Sequence, residues 1–242
     1  MRCPKMILFD YGHTLLYEPG FDTLAGERAL FEKVVDNPRE VTSEQAEAMA
    51  TRIFASFAPA REAGMEIHEH VGMRLKNEWL GLKLSVSMEE AERIFWDHAS
   101  EGAIMPGVER MLSCLTEKGI RSGVISNISW SGKALTDRIR RLLPDNRFEF
   151  VIASSEYGIR KPNRLLFELA LRKAGLEAQD VWFCGDHPQN DVEGAAGAGL
   201  YPVWYDNGTG YEYKDRSAET PPRCDHLHIR EWDEMIALLK SL

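Results

Sequence analysis

The chain has 242 residues, 44% of them hydrophobic and 28% charged, enough for one large domain or for a core with a smaller insert. Its 38 acids outnumber its 29 bases, for a formal charge of -9, which argues against a nucleic-acid backbone or an anionic membrane surface as the main partner. The four cysteines form no CxxC pair, no stretch nears the roughly 20 apolar residues of a membrane span, and MRCPKMILFDYG has too short an apolar run for a signal peptide. A cytoplasmic, reducing setting is expected.

Taken in chain order, MILFD (6–10) is a nearly continuous apolar run that ends on Asp10. Such a run suits a strand covered on both faces, with the carboxylate where the sheet meets solvent. Residues 19–99 carry no strand pattern but several helical runs, including 42–57 and 87–99. Thr42-x-x-Gln45 and Ser87-x-x-Glu90 have the spacing of capping boxes. Pro19-Gly20 and Met105-Pro106-Gly107 punctuate the two ends as candidate hinges. The expected organisation is therefore a core of residues 1–18 and 100–242, with a smaller all-helical domain, 19–99, inserted after the first strand.

From residue 108 onward, helical and strand patterns alternate. Helix is predicted over 108–118 (closed by Gly119), 164–174 (closed by Gly175) and 192–198 (closed by Gly199), with glycine just past each end as the stop signal. Between them SGVISN (122–127), FEFVIAS (148–154), VWFCGD (181–186) and YPVWYD (201–206) read as buried strands. This alternation predicts an α/β fold with a doubly wound, mostly parallel, Rossmann-like sheet. Asn207-Gly208-Thr209 is read as a turn rather than a glycosylation site.

Open α/β sheets bind ligands beyond the carboxyl ends of their strands. The first strand delivers Asp10 there and the second Ser126 and Asn127. Lys161, before Pro162, follows the third; the fourth brings Asp186 and then Asp191. Asp10, Asp186 and Asp191 make an oxygen-rich nest suited to Mg²⁺. A metal, a lysine and a serine converging on one spot suit a phosphoryl group, which Asp10 would attack. GAAGAG (194–199) follows an acidic turn and lacks the context of a dinucleotide loop. His68/His70 and His226/His228 are read as packing or surface residues.

In this order the four strand ends resemble the motifs of the haloacid dehalogenase superfamily of hydrolases, in a form with a helical cap inserted between the first and second motifs. Asp10-Tyr11-Gly12-His13-Thr14 matches Asp-x-Asp-x-Thr, Ser126 the second motif, Lys161-Pro162 the third, and Gly185, Asp186 and Asp191 the fourth. The resemblance covers essentially the whole chain. It implies a Mg²⁺-dependent phosphatase of a small phosphorylated metabolite, with Asp10, Ser126 and Lys161 catalytic. Ser126, Asn127 and Lys161 would bind substrate, and Asp10, Asp186, Asp191 and the Gly12 carbonyl would bind the metal.

The match breaks at Gly12, where phosphatases of the family have the acid that protonates the leaving group. That help is worth about 10²–10⁴ in rate. Three readings follow: a phosphatase that relies on low-pKa leaving groups or on His13; a dehalogenase or phosphonatase, with Lys76 or Lys83 as a Schiff-base candidate; or a retired enzyme that binds or regulates. Retention of the other motif residues favours the first. Arg61, Arg74 and Trp79 are the candidates to face the cleft from the insertion.

Overall fold

In the computed structural model, which describes residues 2–208 and 220–242, each of the five apolar runs forms a strand of one sheet. The chain begins with β1 (Met6–Phe9) and β2 (Leu16–Tyr17) and enters the insertion at α1 (Thr23–Phe31). There follow β3 (Val34–Asp36), α2 (Ser43–Ser56), α3 (Ala58–Glu62), α4 (Glu69–Leu80), β4 (Lys83–Leu84) and α5 (Met88–Ala99). After β5 (Ala103–Ile104) come α6 (Val108–Glu117), β6 (Arg121–Ser126), α7 (Gly132–Leu142), β7 (Phe148–Ala153) and α8 (Arg164–Ala174). The last part holds β8 (Val181–Gly185), a π-helix (Pro188–Glu193), α9 (Gly194–Gly197), β9 (Tyr201–Tyr205), β10 (Leu227–Ile229) and α10 (Trp232–Ser241).

The main sheet has the order β10-β9-β8-β1-β6-β7, and every neighbouring pair is parallel. Because side chains alternate across a strand, Ile7 and Phe9 pack on one face against α6, α7 and α10, and Met6 and Leu8 on the other against α8 and α9. This two-sided burial is why β1 reads as an unbroken apolar run. In register, Phe9 lies beside Val124 of β6 and Cys184 of β8. The polar residues that end these strands therefore emerge at one edge.

The insertion leaves and rejoins the core side by side, for β2 and β5 pair antiparallel through Leu16–Ile104 and Tyr17–Ala103. Arg138 of α7 clamps this neck: its buried guanidinium donates to Glu18, to the Ser100 carbonyl and to Asp97. Tyr11 donates its hydroxyl to Glu18 at 2.7 Å. The Thr42 capping box forms in both directions, and Ser87 accepts from the Glu90 N–H. The expectation that residues 19–99 are all-helical is corrected: the segment also holds a short antiparallel pair, β3 with β4, whose strands are too short to leave a periodic signal.

Sequence periodicity did not reveal α7, β10 or α10, and the predicted 192–198 helix begins earlier, as a π-helix. Of the Asn207-Gly208-Thr209 turn, Thr209 lies outside the described residues. Among the described residues, no helix is long and apolar enough to cross a membrane.

Candidate active site

Asp10 follows β1 directly, and its N–H donates to the Cys184 carbonyl at 2.9 Å, so the sheet ladder itself fixes the position of the carboxylate. The Tyr11 carbonyl then accepts from the N–H groups of Leu15 and Leu16, both at 3.0 Å, closing a tight turn. Within that turn His13 has a φ of 53°, a left-handed conformation uncommon for a residue with a side chain.

Lys161 is held from its own backbone. Its N–H donates to Asn127 Oδ1 at 2.7 Å, and Asn127 Nδ2 donates to the Lys161 carbonyl at 3.0 Å. Asn127 thus has both ends of its amide committed to the lysine's loop. The ammonium lies 2.6 Å from Asp10 Oδ1 and 2.6 Å from Asp191 Oδ1. Asp191 sits on the π-helix, where the His187 N–H donates to its Oδ2 at 3.0 Å. Gly185 makes that approach possible, since a Cβ there would come within 2.4 Å of Asp191 Oδ2. Glycine before Asp186 is a packing requirement.

All seven residues singled out from the sequence line one cavity of about 320 Å³: Asp10, Gly12, Ser126, Asn127, Lys161, Asp186 and Asp191. Tyr11, His13, Arg160 and His187 also line it. Burial is the largest influence on Asp10 and pushes its carboxyl up to about 6; Lys161 opposes that rise and Asp191 adds to it. Burial alone would depress the Lys161 ammonium, but Asp10 and Asp191 outweigh it and hold its pKa above the ordinary value. The buried Cys184 thiol is pushed well upward by desolvation and by the same carboxylates, which leaves it unreactive.

One oxygen from each of Asp10, Asp186 and Asp191 can be chosen so that all three lie within 4.8 Å of one another, and all three residues are buried. Hard oxygen donors of this kind fit Mg²⁺. Three carboxylates against one lysine leave an excess of two negative charges, which a divalent cation balances.

Of the insertion residues expected near the cleft, Arg61 lines a largely apolar cavity with Phe57, Phe95 and Ser129. Arg74 is exposed, and Trp79 lies in a groove between α2 and α4 with Met49 and Leu75. Neither Schiff-base candidate is available: Lys76 is buried in an ion pair with Glu27, and the exposed Lys83 pairs with Asp36. The histidine pairs are structural. His68 caps α4, His70 meets Glu92 at 3.1 Å, and His228 stacks on Trp204 with ring centroids 4.5 Å apart. Sequence reasoning missed Arg160 and His187 at the cavity wall; their signal was adjacency to Lys161 and Asp186.

A family model described as haloacid dehalogenase-like hydrolase matches residues 4–199. A glyceraldehyde 3-phosphate phosphatase of Pyrococcus abyssi is 34% identical over 106 residues, which is 43% of this chain and 43% of that protein. The enzyme of the same name from Methanothermobacter thermautotrophicus is 29% identical over 209 residues, 82% of this chain and 84% of its own length. The chain therefore spans less than half of the first relative and most of the second. Among solved structures, a 2-haloacid dehalogenase from Pseudomonas syringae superposes with a TM-score of 0.61 at 22% identity, covering 98% of this chain and 99% of that one. At that identity the likeness is one of fold.

Proposed function

The chain belongs to the haloacid dehalogenase-like hydrolases, and from that premise we propose that it is a Mg²⁺-dependent phosphatase of a small phosphorylated metabolite. In this reading residues 19–99 form a cap over a catalytic core of residues 1–18 and 100–242. One observation carries the proposal: the Lys161 ammonium sits 2.6 Å from both Asp10 and Asp191, with Asp186 in the same buried cluster. A nucleophile, a fixed cation and a metal-type acid set thus meet at one point. The names of the phosphatase relatives point the same way.

An oxygen of Asp10 attacks phosphorus, and the bond from phosphorus to the leaving oxygen breaks with its electron pair going to that oxygen. The phosphoryl group rests on Asp10 until water attacks phosphorus, releasing inorganic phosphate and restoring the carboxylate. Lys161, charged throughout, neutralises the phosphoryl oxygens, and the Ser126 hydroxyl donates a hydrogen bond to one of them. Asp10, Asp186, Asp191 and the Gly12 carbonyl would hold Mg²⁺, which supplies charge neutralisation for phosphate. Gly12 brings no proton to the leaving oxygen, so leaving groups that are stable as anions are favoured.

The dehalogenase reading has the weaker support, because Asp186 and Asp191 serve no purpose in displacing halide from carbon. The phosphonatase reading lacks an available cap lysine. A screen of phosphate esters, acyl phosphates and 2-haloacids, run with and without Mg²⁺, tests the choice. Mg²⁺-dependent phosphate release is expected; metal-independent halide release would contradict it.

A further inference from the structure

Arg160 precedes Lys161, lines the same cavity and reaches Glu66 of the insertion. One part of its guanidinium is fixed, with Nη1 donating to Glu66 Oε2 at 2.6 Å. Glu66 is buried and also accepts from the Ser154 hydroxyl at 2.7 Å. The main chain is pinned as well: Glu66 N–H donates to the Gly158 carbonyl and Arg160 N–H to the Gly64 carbonyl, at 3.1 and 2.9 Å. Nε and Nη2 of Arg160 have no hydrogen-bond partner among the described residues. A guanidinium has five donors in a rigid fork, and most of this fork is unspent.

In-line attack by Asp10 sends the leaving group away from Asp10, within the cavity that Arg160 also lines. Lys161 is already shared between two carboxylates, so it cannot also neutralise a charge on that part of the substrate. The unspent fork of Arg160 can. We propose that Arg160 forms a subsite for a second anionic group, a carboxylate or a second phosphate, on the leaving portion of the substrate. The preferred substrates are then phosphorylated acids or bisphosphates. This inference rests on the phosphatase reading above.

Calorimetric binding of three non-hydrolysable ligands in the presence of Mg²⁺ tests it: propylphosphonate, 3-phosphonopropionate and propane-1,3-bisphosphonate. The chain length is shared, and only the far group differs. At least one of the two acidic-tailed ligands should bind wild-type protein roughly 10- to 100-fold more tightly than propylphosphonate, as expected for a charge-assisted, bidentate contact. The tighter one identifies the source of the anion. Arg160→Ala should abolish the preference, and Arg160→Lys should restore part of it. Equal binding of all three ligands, binding of none, or a preference undiminished in Arg160→Ala overturns the subsite. A lower Tm in Arg160→Ala with an unchanged preference also overturns it, leaving Arg160 as a tether. Turnover of an aryl phosphate by wild-type protein, measured alongside, reports separately on the phosphatase reading.

Discussion

Replacing Gly12 with Asp restores a carboxylic acid where phosphatases of the family carry one, and the local geometry admits it. Gly12 is outside the left-handed region, and a Cβ built on it meets no atom within 4 Å. The new carboxyl would enter the cavity beside Asp10 and Asp186, and those neighbours raise its pKa into the range that suits a proton donor. Donation to the leaving oxygen is worth about 10²–10⁴ in rate, or about 3–5 kcal/mol in barrier. The assay is kcat/KM across phosphate monoesters whose leaving groups span a wide range of pKa. Wild-type protein should fall steeply toward alkyl phosphates. Gly12→Asp should flatten that slope by accelerating alkyl phosphates while leaving aryl phosphates little changed. A flat wild-type slope would refute the reasoning, since another residue would already be supplying the proton, and His13→Ala would then be the variant to make. Equal acceleration of both classes would refute it too.

Asp186→Ala should weaken Mg²⁺ binding strongly in calorimetry, and unchanged affinity would remove Asp186 from the metal site. The carboxyl of Asp10, raised from 3.8 to about 6 without metal, is favoured by the fold in its protonated form. Its stabilising contribution is full below about pH 4 and is lost as pH rises through about 6, because the unfolded chain then binds fewer protons. In urea unfolding, metal-free wild-type protein should therefore lose on the order of 3 kcal/mol relative to Asp10→Asn between those limits. Parallel pH profiles for the two proteins would contradict this. Lys76→Met leaves the Glu27 carboxylate stranded where both side chains are 2% exposed, and should cost about 3–5 kcal/mol. Lys76→Met combined with Glu27→Leu should recover most of that loss in thermal unfolding; equal destabilisation would mean that the pair is not the cause.

The parallel register explains how a site whose outermost residues, Asp10 and Asp191, lie 181 positions apart was legible in a single chain. Strands aligned in one direction bring the polar ends of their apolar runs to one edge, so reading where each run stops was enough to collect Asp10, Ser126 and Asp186, while Lys161 was marked by its place before Pro162 in the loop after the third run. What escaped depends on contacts that leave no local pattern. The clasp of Asn127 on the Lys161 backbone joins two loops, and the pairing of Arg160 with Glu66 joins residues 94 positions apart. Helix α7 buries Leu135, Arg138 and Ile139, so one of its inward positions is a cation and its apolar stripe is thin. Strand β10 has only 3 residues, too few to show a period. The π-helix arises where Asp191 must turn back toward Lys161, and a helical repeat of 3.6 residues does not describe it.

Covalent capture on Asp10 is the most direct measurement. Wild-type protein mixed with Mg²⁺ and an aryl or acyl phosphate, quenched in acid within a turnover and digested, should yield the peptide containing Asp10 heavier by one phosphoryl group. The same peptide from Asp10→Asn should be unmodified, and that variant should be folded and inactive. Steady phosphate release by Asp10→Asn, or by wild-type protein without any phosphoryl group on Asp10, would contradict the assignment of Asp10 as the nucleophile.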